Sequence, residues 1–101
     1  MEKVWLKSYP AGVPATIDPT TYDSLLTLFD ETCKRYPKKA AFLSFGTRLT
    51  FAELAEKATA CAWAFQEKLG LQKGDKIGIM LPNLLQYPIV MWGALKAGLT
   101  V

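Results

Sequence analysis

The chain has 101 residues, half of them hydrophobic and 21% charged, with a formal charge of +3. That length allows one small domain at most, and that composition is globular, too apolar for a disordered chain. It contains no histidine, so the commonest general base and the commonest metal ligand are both missing.

Residues 1 to 22 read as an irregular arm, because Pro10, Gly12, Pro14 and Pro19 break any long regular element. The opening "MEKVWLKSYPAG" lacks the apolar run of a secretory signal, which argues against export. Lys3, Trp5, Leu6, Lys7 and Tyr9 would suit a membrane interface. The plainer reading is that these aromatic residues tether the arm to its own domain.

"SLLTLFDETCKRYP" follows, with Leu25, Leu28, Phe29, Cys33 and Tyr36 at helical spacing and Pro37 as the stop. Lys34, Arg35, Lys38 and Lys39 make the densest basic group in the chain, a few residues after Asp30 and Glu31. This reads as a solvated helix end complementing its own dipole, and no nucleic-acid partner is expected. Cys33 and Cys61 both sit in apolar helical patterns and read as small hydrophobes, consistent with a reducing compartment.

"AAFLSFGTRLTF" predicts a hairpin turning at Gly46, with strands near Ala41–Ser44 and Arg48–Thr50. Thr50 and Glu53 then form a capping box that starts the next helix. Along that helix Leu54, Ala58, Cys61, Ala62, Phe65 and Leu69 fall within about a 100° arc, and Gly70 supplies the cap. Trp63 lies opposite the stripe between Ala60 and Ala64, the position of an exposed aromatic or of a second packing surface.

Nineteen consecutive uncharged residues, Ile77 to Leu95, come next. As one helix they would nearly cross a bilayer, but Pro82–Asn83 divides them, since proline inside a helix costs about 3 kcal/mol. "IGIML", with Ile77, Ile79 and Leu81, therefore reads as a buried strand after the polar turn "KGDK", where Asp75 is a turn residue. Asn83 is a candidate N-cap. The helix that follows begins between Leu84 and Tyr87, places Pro88 in its first turn and ends at Gly98. About a dozen residues at 1.5 Å each give about 18 Å, too short for a membrane. "LTV" then resembles the first residues of another strand, the second of a right-handed parallel unit that has only begun. The fold class expected is α/β.

Motifs for chemistry are lacking. No G-x-G-x-x-G follows the strand, and no G-x-x-x-x-G-K-[ST] phosphate loop occurs. Ser24 and Ser44 have no histidine partner. Asp30/Glu31 and Glu53/Glu56 read as solvated helix carboxylates rather than as an acid–base pair.

The order of motifs nevertheless resembles a family. A helix of the form "LxxLFDxTxxRYPxxxAF" is followed by "RLTFAELxxKAxxxAxAFxxxLGLxKGDKIGIMLPNLLQYPIVMWGALKAG". This pattern is similar to the start of the adenylate-forming enzymes, the superfamily of acyl-CoA synthetases, peptide-synthetase adenylation domains and luciferases. "PNLLQYP" together with the arm "VWLKSYPAGVP" is most similar to bacterial long-chain-fatty-acid–CoA ligases. The resemblance implies that residues 23–101 are the first part of a large N-terminal α/β domain in a parent about five to six times longer. It also implies that the parent joins fatty acid and ATP, with Mg²⁺, into an acyl-adenylate, then passes the acyl group to coenzyme A. A cytoplasmic location follows, with the inner membrane surface as a peripheral contact.

The family's "TSGTTGxPKG"-like loop, its "YGxTE"-like segment and its C-terminal catalytic lysine have no counterpart here. No catalytic, cofactor-binding or metal-binding residue is therefore assigned, and the piece alone is expected to be inactive. Its expected partners are the rest of the parent and, through uncovered apolar surface, other copies of itself. The alternative is a free-standing α/β interaction module derived from such a ligase, binding through Trp63 or the last helix.

Overall fold

The structure is a computed structural model that describes residues 1–101. The arm holds one short 3-10 turn, Val4–Ser8, and no residue in it is buried. Asp18 orders its last part: its carboxylate accepts the backbone N–H and the hydroxyl of Thr20, at 2.8 and 2.6 Å. Those bonds hold the Asp18 carboxyl below its ordinary pKa.

Helix α1 spans Leu25–Arg35, and the Ser24 hydroxyl accepts the Thr27 N–H at its start. Phe29 and Cys33 are buried, whereas Leu25 and Tyr36 at the two ends of the expected stripe are exposed. Strands β1 (Ala40–Ser44) and β2 (Thr47–Thr50) form the expected antiparallel hairpin. Its loop is Phe45–Gly46, both with positive φ (48° and 78°), as the tightest right-twisted hairpins require. A bulge between Ala40 and Phe42 re-aims Ala41 toward the core, where it packs beside Phe29, Cys33, Leu49 and Leu54.

Helix α2 (Phe51–Trp63) starts on the predicted capping box: Glu53 N–H donates to the Thr50 hydroxyl at 3.2 Å, and Thr50 N–H donates to the Glu53 carboxylate at 2.8 Å. Leu54, Ala58 and Ala62 are buried as the stripe predicts. The far end departs from it. Residues Ala64–Lys68 form a π-helical turn, closed by Leu69 N–H to the Ala64 carbonyl. The wider turn changes the angular advance per residue, so a stripe computed at 3.6 residues per turn slips out of phase. Leu69 is consequently 64% exposed, and Leu71 takes the inward place beside Ala62 and Ala94.

The uncharged run is divided, as expected, and no helix is long and apolar enough to cross a membrane. Its second half is α3, Gln86–Lys96, with Pro88 in the first turn. Asn83 is not its cap: the N-cap position is Leu85, with no side-chain bond, and Leu84 N–H instead reaches the Pro82 carbonyl at 2.7 Å. The C-terminus closes on Gly98 (φ 79°), with Leu99 N–H on the Ala94 carbonyl and Gly98 N–H on that of Leu95. That pair of bonds is a Schellman motif.

The first half differs from expectation. Ile77–Leu81 is not a regular strand; a single parallel bridge joins Lys76 and Thr100. Ile77 N–H donates to the Thr100 carbonyl (2.9 Å), and Thr100 N–H to that of Asp75 (2.8 Å). Beyond that point no neighbouring strand lies beside Ile79 or Leu81, and a ladder cannot form with one side. The alternation of a strand persists in the burial: Ile77 and Ile79 are half-buried, while Met80 is 98% exposed.

Helices α2 and α3 make the most extensive packing in the molecule. They meet closely because Gly93 has no side chain: a Cβ there would lie 2.7 Å from Cys61 Cβ and 3.1 Å from the Ala58 carbonyl oxygen. The result is a mixed α/β unit of three helices and one antiparallel hairpin.

Candidate functional site

The best-placed concavity lies between the hairpin and the turn that leads into α3. Phe42, Leu43 and Ser44 form one wall, and Asn83, Leu84, Leu85, Tyr87 and Pro88 the other, around ≈300 Å³. It lies just after the Lys76–Leu81 segment, at the turn into α3. Its lining is mostly apolar, with Ser44, Asn83 and Tyr87 as the polar groups. Such a wall can bury an apolar group and orient it by a few hydrogen bonds, but it has no carboxylate, amine or thiol to move a proton.

The chain's remaining reactive groups lie apart. Burial pushes both the Cys33 and Cys61 thiols above their ordinary pKa, and the Asp30 carboxylate adds to the effect at Cys33. Both thiols are free and held in the unreactive, protonated form. No three carboxylate, thiol or imidazole groups gather where a metal ion would sit.

Lys96 is part-buried and forms an ion pair between elements far apart in sequence. Its ammonium bonds the Asp30 carboxylate at 2.8 Å and lies 5.5 Å from the Phe29 ring centroid. Phe29 in turn stacks on Trp92, centroids 4.1 Å apart and planes at 21°. This ties the end of α3 to α1 across 66 residues of sequence, and its geometry is that of a brace.

The residues singled out by the sequence are therefore dispersed. Leu54 and Ala58 are core, Phe65 is half-buried, and Trp63 is 55% exposed with the Lys68 ammonium 5.3 Å from its ring centroid. Trp5 and Tyr9 are exposed on the arm, and Pro82–Asn83 forms the turn at the mouth of the concavity.

A short hairpin, two tightly crossed helices and one parallel bridge make a mixed α/β unit of the kind that forms the N-terminal subdomain of adenylation enzymes. Among solved structures, the N-terminal subdomain of NpsA from Klebsiella oxytoca matches 75% of this chain with a TM-score of 0.72 at 30% identity, over 20% of its own length. Residues 29–101 match the family described as AMP-binding enzyme, and the chain belongs to that family. Across all 101 residues it is 52% identical to a long-chain-fatty-acid–CoA ligase of Yersinia pestis and 48% identical to one of Salmonella typhimurium. It spans 18% of the length of each.

Proposed function

We propose that this chain is the N-terminal part of a long-chain-fatty-acid–CoA ligase, and that residues 23–101 open that enzyme's large α/β domain. The observation that carries this reading is identity of about half over every residue of the chain, set against 18% coverage of the relatives. The parent would activate a fatty acid with ATP and Mg²⁺ as an acyl-adenylate, release pyrophosphate, and transfer the acyl group to the thiol of coenzyme A. In that frame the role of residues 1–101 is architectural. They contribute the α2–α3 pair, and the Lys76–Thr100 bridge gives a register along which a parallel strand would extend beside Ile77–Leu81.

The surface of the chain supports the same reading. Its accessible area is 7792 Å², whereas a self-contained protein of 11.2 kDa exposes about 5700 Å². Part of the difference is the arm, but Leu43, Phe45 and Met80 are 73%, 94% and 98% exposed on the body.

Two measurements test the proposal. Purified residues 1–101 should release no pyrophosphate from palmitate and ATP, and the reading frame past Val101 should continue through a strand toward a glycine- and threonine-rich loop. Turnover by residues 1–101 alone, or a continuation that lacks such a loop, would overturn the reading. The second outcome would favour the interaction module presenting Trp63.

A further inference from the structure

The parallel bridge near the end of the chain fixes a direction and a register. Ile77 N–H donates to the Thr100 carbonyl, and Thr100 N–H to that of Asp75. In a parallel ladder such bonds are evenly spaced and recur at every second residue. Position 102 therefore falls opposite Gly78, between the Ile77 carbonyl and the Ile79 N–H. Position 104 falls opposite Met80, between the Ile79 carbonyl and the Leu81 N–H. None of those four backbone groups has a hydrogen-bond partner within residues 1–101.

A strand on that register reaches the level of Leu81 at position 105, about 4.8 Å to its side. The next few residues, at about 3.3 Å each, run past the Pro82–Asn83 turn. There the ≈300 Å³ concavity opens between the hairpin and α3. Its walls leave Phe42 and Leu43 41% and 73% exposed, and no residue that lines it is charged. A carboxylate or phosphate would find no counter-charge in it. A neutral, apolar stretch of peptide needs none, and Ser44, Asn83 and Tyr87 offer it hydrogen bonds.

We propose that this concavity is the seat of the chain's own continuation: beyond position 105 the segment leaves the strand and packs an apolar side chain between Leu43 and Leu84–Leu85. The proposal rests on the ligase reading, since only a longer parent supplies these residues, and the present chain spans 18% of its relatives' length. The concavity is then an internal joint of the parent, closed by its own backbone, and not a substrate pocket.

The test compares, by NMR, the 101-residue chain with one extended by the fifteen residues that follow Val101 in its reading frame. Amide exchange at Ile79 and Leu81 should slow at least tenfold in the longer chain, while Gly78 and Met80, on the opposite edge, keep their rates. The Leu43 and Tyr87 side chains should gain nuclear Overhauser contacts to residues beyond 105, and mixing labelled with unlabelled chains should show them to lie within one chain. Leu43→Ser should speed exchange at Leu81 about fivefold; Leu69→Ser, at a leucine 64% exposed outside the concavity, should not. Unchanged exchange, contacts only between chains, or protection without contacts to Leu43 and Tyr87 would overturn the proposal. So would palmitate shifting the Leu43 and Tyr87 resonances equally in both lengths. A reading frame that reaches a glycine- and threonine-rich loop while the concavity stays open removes the seat and leaves the ligase, whereas a stop codon directly after Val101 removes both.

Discussion

The closest constraint in the molecule is at Gly93. Its neighbours are Cys61 Cβ and Sγ on α2, 2.7 and 2.9 Å from where a Cβ would stand, and the Ala58 carbonyl oxygen at 3.1 Å. Backbone and a Cβ cannot swing aside as the end of a long side chain can, so the helices must separate. Gly93→Ala should therefore destabilise the fold by about 1–3 kcal/mol, the usual cost of overpacking, although alanine is the better helix former. Urea denaturation followed by circular dichroism measures it. Adding Cys61→Ala should recover only part of the loss, because it relieves the Sγ contact and keeps the Cβ. Nothing in the sequence marks Gly93 as different from a helix-weakening glycine; its meaning comes from α2, 32 residues earlier.

At the scale of elements, most local signals held, the Asn83 cap excepted, because Leu85 takes the N-cap position of α3 without a side-chain bond. The capping box at Thr50 and Glu53, the glycine turns and the division of the uncharged run all depend on chemistry within a few positions. They stand where "TFAE", Gly46, Gly70, Gly98 and Pro82 place them. Replacing the cap residue, Thr50→Ala, should cost about 1 kcal/mol, read as a shift in the unfolding midpoint.

The same cap predicts a dependence on pH. Bonds from the Thr50 backbone and hydroxyl hold the Glu53 carboxyl below its ordinary value of 4.5, with smaller help from Lys57 and Arg48. A depressed carboxyl contributes stability above its unfolded value and loses it as pH falls through the lower folded one. In Glu53→Gln that acid-side portion of the stability profile should be absent, while stability near neutrality drops. A stability titration from pH 7 to 3 compares the two chains, and parallel curves would show that the carboxylate plays no part.

At the scale of the whole molecule the shape is open. The radius of gyration is 17.0 Å, against about 13 Å for a compact domain of 100 residues, and only 11 of 101 residues are buried. α3 is apolar nearly all round, yet only its Pro88, Gly93 and Ala94 positions are buried. Exposed apolar surface of this extent favours association. Sedimentation velocity should show a species heavier than 11.2 kDa that grows with concentration, and Leu43→Ser with Met80→Ser should shift it toward the monomer. A single monomeric boundary at all concentrations would contradict this.

The sequence by itself determined the elements whose causes are local: where helices start, where turns fall, and that 19 uncharged residues do not make one membrane helix. It also carried the family, because the motif order survives at about half identity. Only the tertiary structure decided the rest. Ile77–Leu81 has a strand's alternation, but a strand exists only beside a partner, and one bridge is all the fold supplies. Leu69 left the core for a π-helical turn that no local pattern announced. Asp30, a few residues before a basic cluster, is claimed by Lys96 from the far end of the chain. Hydrogen-bond caps act over three or four residues, whereas pairing, packing and ion-pair choice depend on what the rest of the fold brings within a few ångströms.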